Sequence, residues 1–324
     1  MTSPPRRVAF VFNPVTRKKK VPERREQTAA ALAQAGLEVM WLETTPTDAG
    51  EGLVGRALDA GVDLVLVSGG DGTVMACATA LADTGVPLAL LPAGTGNLLA
   101  VNFNVPRDLE GAMEVALSGE RRAIDLGCCE QGCFAVMAGM GFDAAMLRDT
   151  NPALKARLGA LSYVVGGLRH LRSRAVEIEV RLDNSEPISI EAHMVLVGNL
   201  GMLQGGFRAL PDADPQDGLL NVAIVTAGSI GAWIKVALRV VRGRVGNDRR
   251  VQTHVASSVE VRAARPMPME LDGDIFDDAR VLTVETRPGA LTLCVPGNDV
   301  GHLEPMDSSN TSALGPDTIQ GGGT

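Results

Sequence analysis

Val65-Leu66-Val67-Ser68-Gly69-Gly70-Asp71-Gly72-Thr73 decides how this chain folds. An apolar, β-branched run ends in three glycines and one acid, and a helical pattern, Val74-Met75-Ala76-Cys77-Ala78-Thr79-Ala80-Leu81, follows. Strand, glycine turn and helix together bring a backbone close to phosphates. Glycine lacks the Cβ that would block the approach, and a helix start presents unpaired N–H groups and a positive dipole end. Asp71 stands where a carboxylate can meet a magnesium ion or a hydroxyl proton. The competing reading is an ordinary βα turn, because a short glycine motif alone is a weak signal.

A second cluster repeats the pattern. Leu88-Ala89-Leu90-Leu91 is another buried-strand run that leads into Pro92-Ala93-Gly94-Thr95-Gly96-Asn97 and then the helical Leu98-Leu99-Ala100. In a parallel sheet both loops lie at the carboxyl edge, where ligands bind. Val8-Ala9-Phe10-Val11-Phe12, followed by Asn13-Pro14-Val15-Thr16-Arg17, adds a third loop at that edge. The basic turn Arg17-Lys18-Lys19-Lys20 reads either as a solvated loop or as a guard for phosphates.

Outward from these loops, Pro22 suits the first turn of a helix that stops at Gly36, and 37–42 reads as a strand ending at Thr44 and Thr45. A helix closed by Gly61, strands at 63–67 and 88–91, and a helix capped by Asp108 and ending near Gly119 complete the first part. Such βαβα alternation predicts a parallel sheet with helices on both faces. After Arg121-Arg122 the rhythm changes to alternating segments at 175–182, 188–197, 219–225, 258–261, 281–284 and 290–295. These predict a largely antiparallel second domain of two packed sheets. The boundary is placed near residue 125, giving an α/β domain at 1–125, a β domain at 126–300 and a tail at 301–324 with the composition of disorder. Whether the last strand returns to the first domain is left open.

Composition removes several classes. A net charge of −8 and 3% aromatic residues argue against nucleic acid as a partner. The apolar run after Arg6-Arg7 stops at Asn13-Pro14, so no signal peptide is expected. The longest apolar stretch, 219–241, is interrupted by Asn221, Gly228, Gly231, Lys235 and Arg239, so no membrane span is expected either. The odd count of five cysteines (Cys77, Cys128, Cys129, Cys133 and Cys294) predicts free thiols in a reducing cytoplasm. The four scattered histidines give no zinc-ligand spacing to go with them. Leu154, Leu158, Leu161, Val165 and Leu168 recur at helical spacing, and a second amphipathic run holds Ile230, Trp233, Ile234, Val236, Ala237, Val240 and Val241 among Lys235, Arg239, Arg242 and Arg244. They read as core-packing helices with solvated basic faces, or as surfaces that meet anionic lipid headgroups. The expected location is cytoplasmic, peripheral at the inner membrane face, and exposed sheet edges allow a homodimer.

Asn13-Pro14 after the first strand, Gly69-Gly70-Asp71-Gly72-Thr73, and Pro92-x-Gly94-Thr95-x-Asn97, in this order within residues 5–297, resemble the diacylglycerol kinase catalytic-domain family. That family includes soluble bacterial lipid kinases and sphingosine kinases. The resemblance implies a phosphofructokinase-like α/β domain followed by an antiparallel β-sandwich. It also implies ATP and Mg2+ as cofactors and a lipid substrate, diacylglycerol or a sphingoid base, whose hydroxyl receives the γ-phosphoryl group. Positions matching the family's ATP pocket are Asn13, Pro14, Val15, Thr16, Arg17, Thr45, Ser68, Gly69, Gly70, Asp71, Gly72, Thr73, Gly94, Thr95 and Asn97.

In Leu271-Asp272-Gly273-Asp274, Asp274 stands where lipid kinases of this family carry the glutamate proposed as proton acceptor, and is one methylene shorter. Asp71 competes for that role by resemblance to sphingosine kinases. On its residues alone Asp272-Gly273 is also a hairpin turn. The acidic turn at 211–219 resembles the structural magnesium site of soluble bacterial diacylglycerol kinases, which carries over to Asp214, Asp217 and the Leu219 carbonyl; without the resemblance it reads equally as a capped turn. Asp125 matches a family acid that orients the acceptor hydroxyl or holds the interdomain hinge. Gly96-Asn97-Leu98-Leu99-Ala100 is nearer the sphingosine-kinase type than the Asn-Asp of many bacterial members. NAD kinases share Gly-Gly-Asp-Gly-Thr but fit residues 92–97 less well. A nucleotide- and lipid-binding module without turnover is the reading from a different class.

Overall fold

The computed structural model describes residues 7–14, 21–93, 96–141, 175–202, 210–226 and 250–297. The first lobe alternates β1 (Arg7–Phe12), α1 (Val21–Gln34), β2 (Glu38–Glu43), α2 (Glu51–Asp59), β3 (Leu64–Ser68), α3 (Asp71–Leu81) and β4 (Leu88–Leu90), and continues into α4 (Leu98–Asn102) and α5 (Leu109–Ser118). Its strands pair in parallel in the order β4-β3-β1-β2. Every residue of β3 is buried, as a continuous apolar run flanked by helices requires. Helix α2 packs on α3, and α1 meets α5.

The chain steps from β1 outward to β2, then crosses back to β3 and onward to β4. The direction of winding therefore reverses between β1 and β3. Ligands of open α/β sheets bind outside the carboxyl ends of the strands at such a switch point. Here those ends are Asn13-Pro14 and Ser68-Gly69-Gly70, and the Asn13 amide donates to the Ser68 carbonyl at 3.0 Å.

The second lobe contains β5 (Glu120–Cys129), β6 (Gly132–Phe134), β7 (Met137–Gly141), β8 (Val176–Leu182), β9 (Ile188–Ala192), β10 (Met194–Gly198), β11 (Leu220–Val225), β12 (Val251–Ala256), β13 (Ser258–Leu271) and β14 (Asp274–Val295). All pairings among these are antiparallel. The layers are linked through the two longest strands. β13 pairs with β8 through Val259–Ala263 and with β7 through Met269–Leu271. β14 pairs first with β13, then with β5, and its Leu293 lies parallel to Leu88 of β4. The last strand thus returns to the first lobe. Ala290, Leu291, Leu293, Cys294 and Val295 belong to the same buried cluster as β1, β3 and β4, and the sandwich packs a second cluster around Phe134, Met140, Ile178 and Leu220.

Two sequence expectations change. The segment 188–197 is two strands, because the chain turns at His193, pairing with β8 before the turn and with β7 and β11 after it. The cysteines are not all free thiols. Cys128 and Cys133 face each other across the β5–β6 hairpin, Cα atoms 4.0 Å apart, and form a disulfide. The hairpin register, rather than the parity of the count, determines this pair. Cys77 and Cys294 are free and buried, as strand and helix packing predicts, and Cys129 is free and half-buried.

Candidate active site

The Gly-Gly-Asp-Gly-Thr turn lies between β3 and α3, with Gly70 as the N-cap of α3. The first intrahelical bond runs from the Val74 amide to the Gly70 carbonyl, and no side chain caps this end. The preceding amides of the turn thus point out of the helix without intrahelical acceptors. The α5 helix differs: its Asp108 carboxylate accepts from the Gly111 amide at 2.8 Å. Two of the glycines answer to close contacts. A Cβ on Gly69 would stand 2.6 Å from the Thr73 Cβ. A Cβ on Gly72 would stand 3.3 Å from Oδ2 and 3.9 Å from Oδ1 of Asp274.

Asp71 joins the two glycine loops. Its Oδ2 accepts from the Asn97 amide at 3.1 Å and its Oδ1 from the Leu98 amide at 2.6 Å. Asn97 is the N-cap of α4 in a left-handed conformation, φ 51°, which asparagine tolerates better than most residues. The loops therefore converge on one side of the sheet. The cavity beneath them is only about 10 Å³, room for one water at most, so a ligand must lie over the loops and not under them.

The second lobe reaches this point through the β13–β14 hairpin. Asp272 and Gly273 carry φ of 48° and 92°, and Leu271 pairs with Asp274, which makes a two-residue turn with both central residues left-handed. The hairpin reading of Asp-Gly holds, and the hairpin brings Asp274 to the start of α3. The tip is docked: the buried Asp272 carboxylate accepts the amides of Ala135 at 2.8 Å, Val136 at 3.0 Å and Met137 at 2.8 Å. The Asp272 amide donates back to the Met137 carbonyl at 2.9 Å. Glu270, also buried, accepts from the Gly273 amide at 2.8 Å.

Burial pushes the Asp272 carboxyl up to about 7; the three amides pull it down, and Asp71 adds a smaller upward push. Asp274 is exposed at the rim, yet its carboxyl is also raised, first by the atoms crowded around it and then by Asp71. Among the described residues no hydrogen bond ends on the Asp274 carboxylate.

The other expected positions fall as follows. Asn13, Pro14, Ser68, Gly69, Gly70, Asp71, Gly72, Thr73 and Asn97 sit around the convergent loops, and Ser68, Thr73 and Asn97 are buried. Thr45 is exposed at the end of β2, and its hydroxyl accepts from the Asp48 amide at 3.1 Å. Val15, Thr16, Arg17, Gly94, Thr95, the tail at 301–324 and both basic amphipathic segments lie outside the described residues. Asp214 and Asp217 are exposed; each lends one oxygen to its own turn, from the Gln216 amide at 3.1 Å and the Leu219 amide at 2.8 Å. Among the described residues no three of His, Cys, Asp and Glu cluster as metal ligands.

Asp125 is buried and its carboxylate is fully engaged by backbone amides. It accepts from the Gly218 and Gly289 amides, both at 2.7 Å, and its own amide donates to the Pro215 carbonyl. Asn199 joins the same segment by donating to the carbonyls of Asp125 and Ala135 at 2.7 and 3.0 Å. Asp272, Glu270 and Asn199 escaped the sequence reading as anchors, because their partners are backbone amides and carbonyls, which leave no side-chain motif.

With this geometry in place, two family models match the chain. The Diacylglycerol kinase catalytic domain covers residues 7–129, and the YegS C-terminal NAD kinase beta sandwich-like domain covers residues 136–295. A Klebsiella pneumoniae protein named "Probable lipid kinase YegS-like" is 32% identical over 75% of this chain and 81% of its own length. A Bacillus subtilis protein named "Diacylglycerol kinase" is 29% identical over 83% of this chain and 90% of its own. The crystal structure of a diacylglycerol kinase from Bacillus anthracis superposes with a TM-score of 0.70 at 20% identity, covering 91% of this chain and 98% of that one, and shares the fold. No helix among the described residues is long and apolar enough to cross a membrane.

Proposed function

Because the chain belongs to the diacylglycerol kinase catalytic-domain family of lipid kinases, we propose that it transfers the γ-phosphoryl group of ATP to a lipid hydroxyl, with Asp274 as the proton acceptor. One observation carries the assignment of roles. Asp71 and Asp272 both spend their carboxylate oxygens on backbone amides, whereas Asp274 faces the uncapped start of α3 with no hydrogen bond among the described residues. A carboxylate raised towards the working pH, and not already committed, is suited to general-base work.

In the reaction the lipid oxygen bonds to the γ-phosphorus as its proton passes to Asp274. The bond from that phosphorus to the β–γ bridging oxygen breaks, and ADP leaves. The amides before Val74 and the neighbouring Asn13 loop hold the phosphates, and Asp71 keeps the two loops together. A hard cation fits here too. Burial first, and then Asp71, raise Asp274, and magnesium, which when bound with the nucleotide would neutralise charge on the phosphates, suits a site whose donors are oxygens. The acidic turn at 211–219 would offer Asp214, Asp217 and the Leu219 carbonyl to a structural cation, since oxygen donors suit a hard ion.

Incubation of the purified chain with magnesium, γ-labelled ATP and a total lipid extract should yield a labelled phospholipid, and Asp274→Asn should abolish it while ATP still binds. Label transfer undiminished in Asp274→Asn would remove the base assignment. No labelled lipid from any extract would remove the activity.

A further inference from the structure

We propose that Asp272 is the positioning residue of the site: its carboxylate ties the hairpin tip to the backbone of 135–137, which packs against α3, and so fixes the carboxylate of Asp274 against Gly72. An Asp-Gly turn exposed to solvent would leave its aspartate in water. Here the aspartate is 8% exposed and is held by the amides of three consecutive residues.

Those residues matter because of where they lie. Ala135, Val136 and Met137 are at most 2% exposed and are packed in the same cluster as Val74, Met75 and Ala78 of α3. Asp272 therefore grips a piece of backbone embedded in the core that also holds the nucleotide-binding helix. Two residues further on, Asp274 has no tie of its own among the described residues. Its position is inherited from this grip and from the Leu271–Asp274 pair. Opening the grip would let the tip swing out and let Asp274 hydrate. The proposal rests on Asp274 being the proton acceptor, but its primary test does not.

Asp272→Asn is the informative change, because asparagine accepts the same left-handed turn but offers an NH2 group where amide donors converge. The carboxyl carbon of Asp274, assigned by its loss in Asp274→Asn, is titrated by carboxyl NMR in the full chain and in Asp272→Asn. In the variant its midpoint should fall to the ordinary aspartate range, since hydration and distance from Asp71 both lower it. An unchanged midpoint in a folded Asp272→Asn protein would overturn the proposal.

Should the variant fail to fold, hydrogen exchange on the wild-type chain decides. The amides of 135–137 must be among the slowest-exchanging in the second lobe, and rapid exchange there would refute the grip. With dioleoylglycerol micelles and ATP, kcat of Asp272→Asn should fall roughly 10- to 100-fold at an almost unchanged KM for ATP. Its acid limb should also move to lower pH, which a mere loss of folded enzyme would not do. If Asp274→Asn retained full kcat, the base assignment would fail while the titration still judged the positioning claim.

Discussion

Replacing Gly72 by alanine should separate activity from stability. The new Cβ would stand 3.3 Å from the Asp274 Oδ2, a few tenths of an ångström inside ordinary contact. The neighbour is the end of a side chain, so it can yield at little energetic cost. Gly72 lies in the first turn of α3 without a left-handed φ, and alanine gains up to about 1 kcal/mol over glycine inside a helix. Stability should therefore be unchanged or rise by up to about 1 kcal/mol, an increase in Tm of a few degrees at most. The chemistry is less forgiving. If a misplacement of about 1 Å costs roughly 100-fold, a displacement of a few tenths should cost roughly 4- to 10-fold in kcat. The KM for ATP should move less than kcat, because the new methyl would meet the acid and no other described side chain within 4 Å. Thermal melts and steady-state kinetics with a lipid acceptor read both quantities. A Gly72→Ala protein with kcat within twofold of wild type would refute the close apposition of Asp274 to α3, as would a loss of more than about 2 kcal/mol. Gly69→Ala is the contrast: its Cβ would overlap Thr73 at 2.6 Å, and such overpacking should destabilise by about 1–3 kcal/mol.

Asp71→Asn keeps the shape of the lock but can accept only one of the two amides, so urea unfolding should show a loss of about 1–2 kcal/mol. The same change removes a charge that raises Asp274, so the acid limb of any residual activity should move to lower pH; a limb that stays in place would disconnect the two acids. Asp125→Ala strands the Gly218 and Gly289 amides and should cost about 3–5 kcal/mol in denaturant melts, whereas a loss under 1 kcal/mol would deny that Asp125 anchors them. The Cys128–Cys133 bridge closes a loop of sequence separation 5, for which chain entropy predicts about 2 kcal/mol. Dithiothreitol should lower the Tm of the wild type and leave Cys133→Ser unaffected; equal responses would contradict the bridge.

The first lobe was legible because its elements announce themselves locally. β3 is an unbroken apolar run, Gly36 and Gly61 close helices in left-handed conformations, and Asp108 caps α5 with its own side chain. The convergence of the two glycine loops was foreseen from their shared edge, although the bond that enforces it, from Asp71 to the Asn97 and Leu98 amides, has no signature in spacing. The second lobe hid its organisation in irregular strands. Pro266 and Pro268 break the ladder signal, and β13 accommodates them with register shifts between Arg262 and Met269, so the run up to Leu271 did not read as strand. Pro288 and Gly289 likewise divided β14 into two apparent strands, where the structure has one with a shift between Arg287 and Leu291. β7 and β12 were missed altogether: Met137–Gly141 is buried throughout and carries no alternation, and β12 buries only its two ends, Val251 and Ala256.

The 22 residues of β14 act as a ruler laid across the whole molecule. One end carries the acid that meets the donor helix, and the other is stitched beside Leu88 in the innermost part of the opposite lobe. A deletion of one residue along it would turn every following side chain to the wrong face and draw the acid away from its helix in the same stroke. Loops elsewhere can lengthen or shorten freely over generations, but this span has a fixed count. Nor can the front half be lifted out as a cassette, since without 290–295 its sheet would end in a bare edge and its interior in a gap.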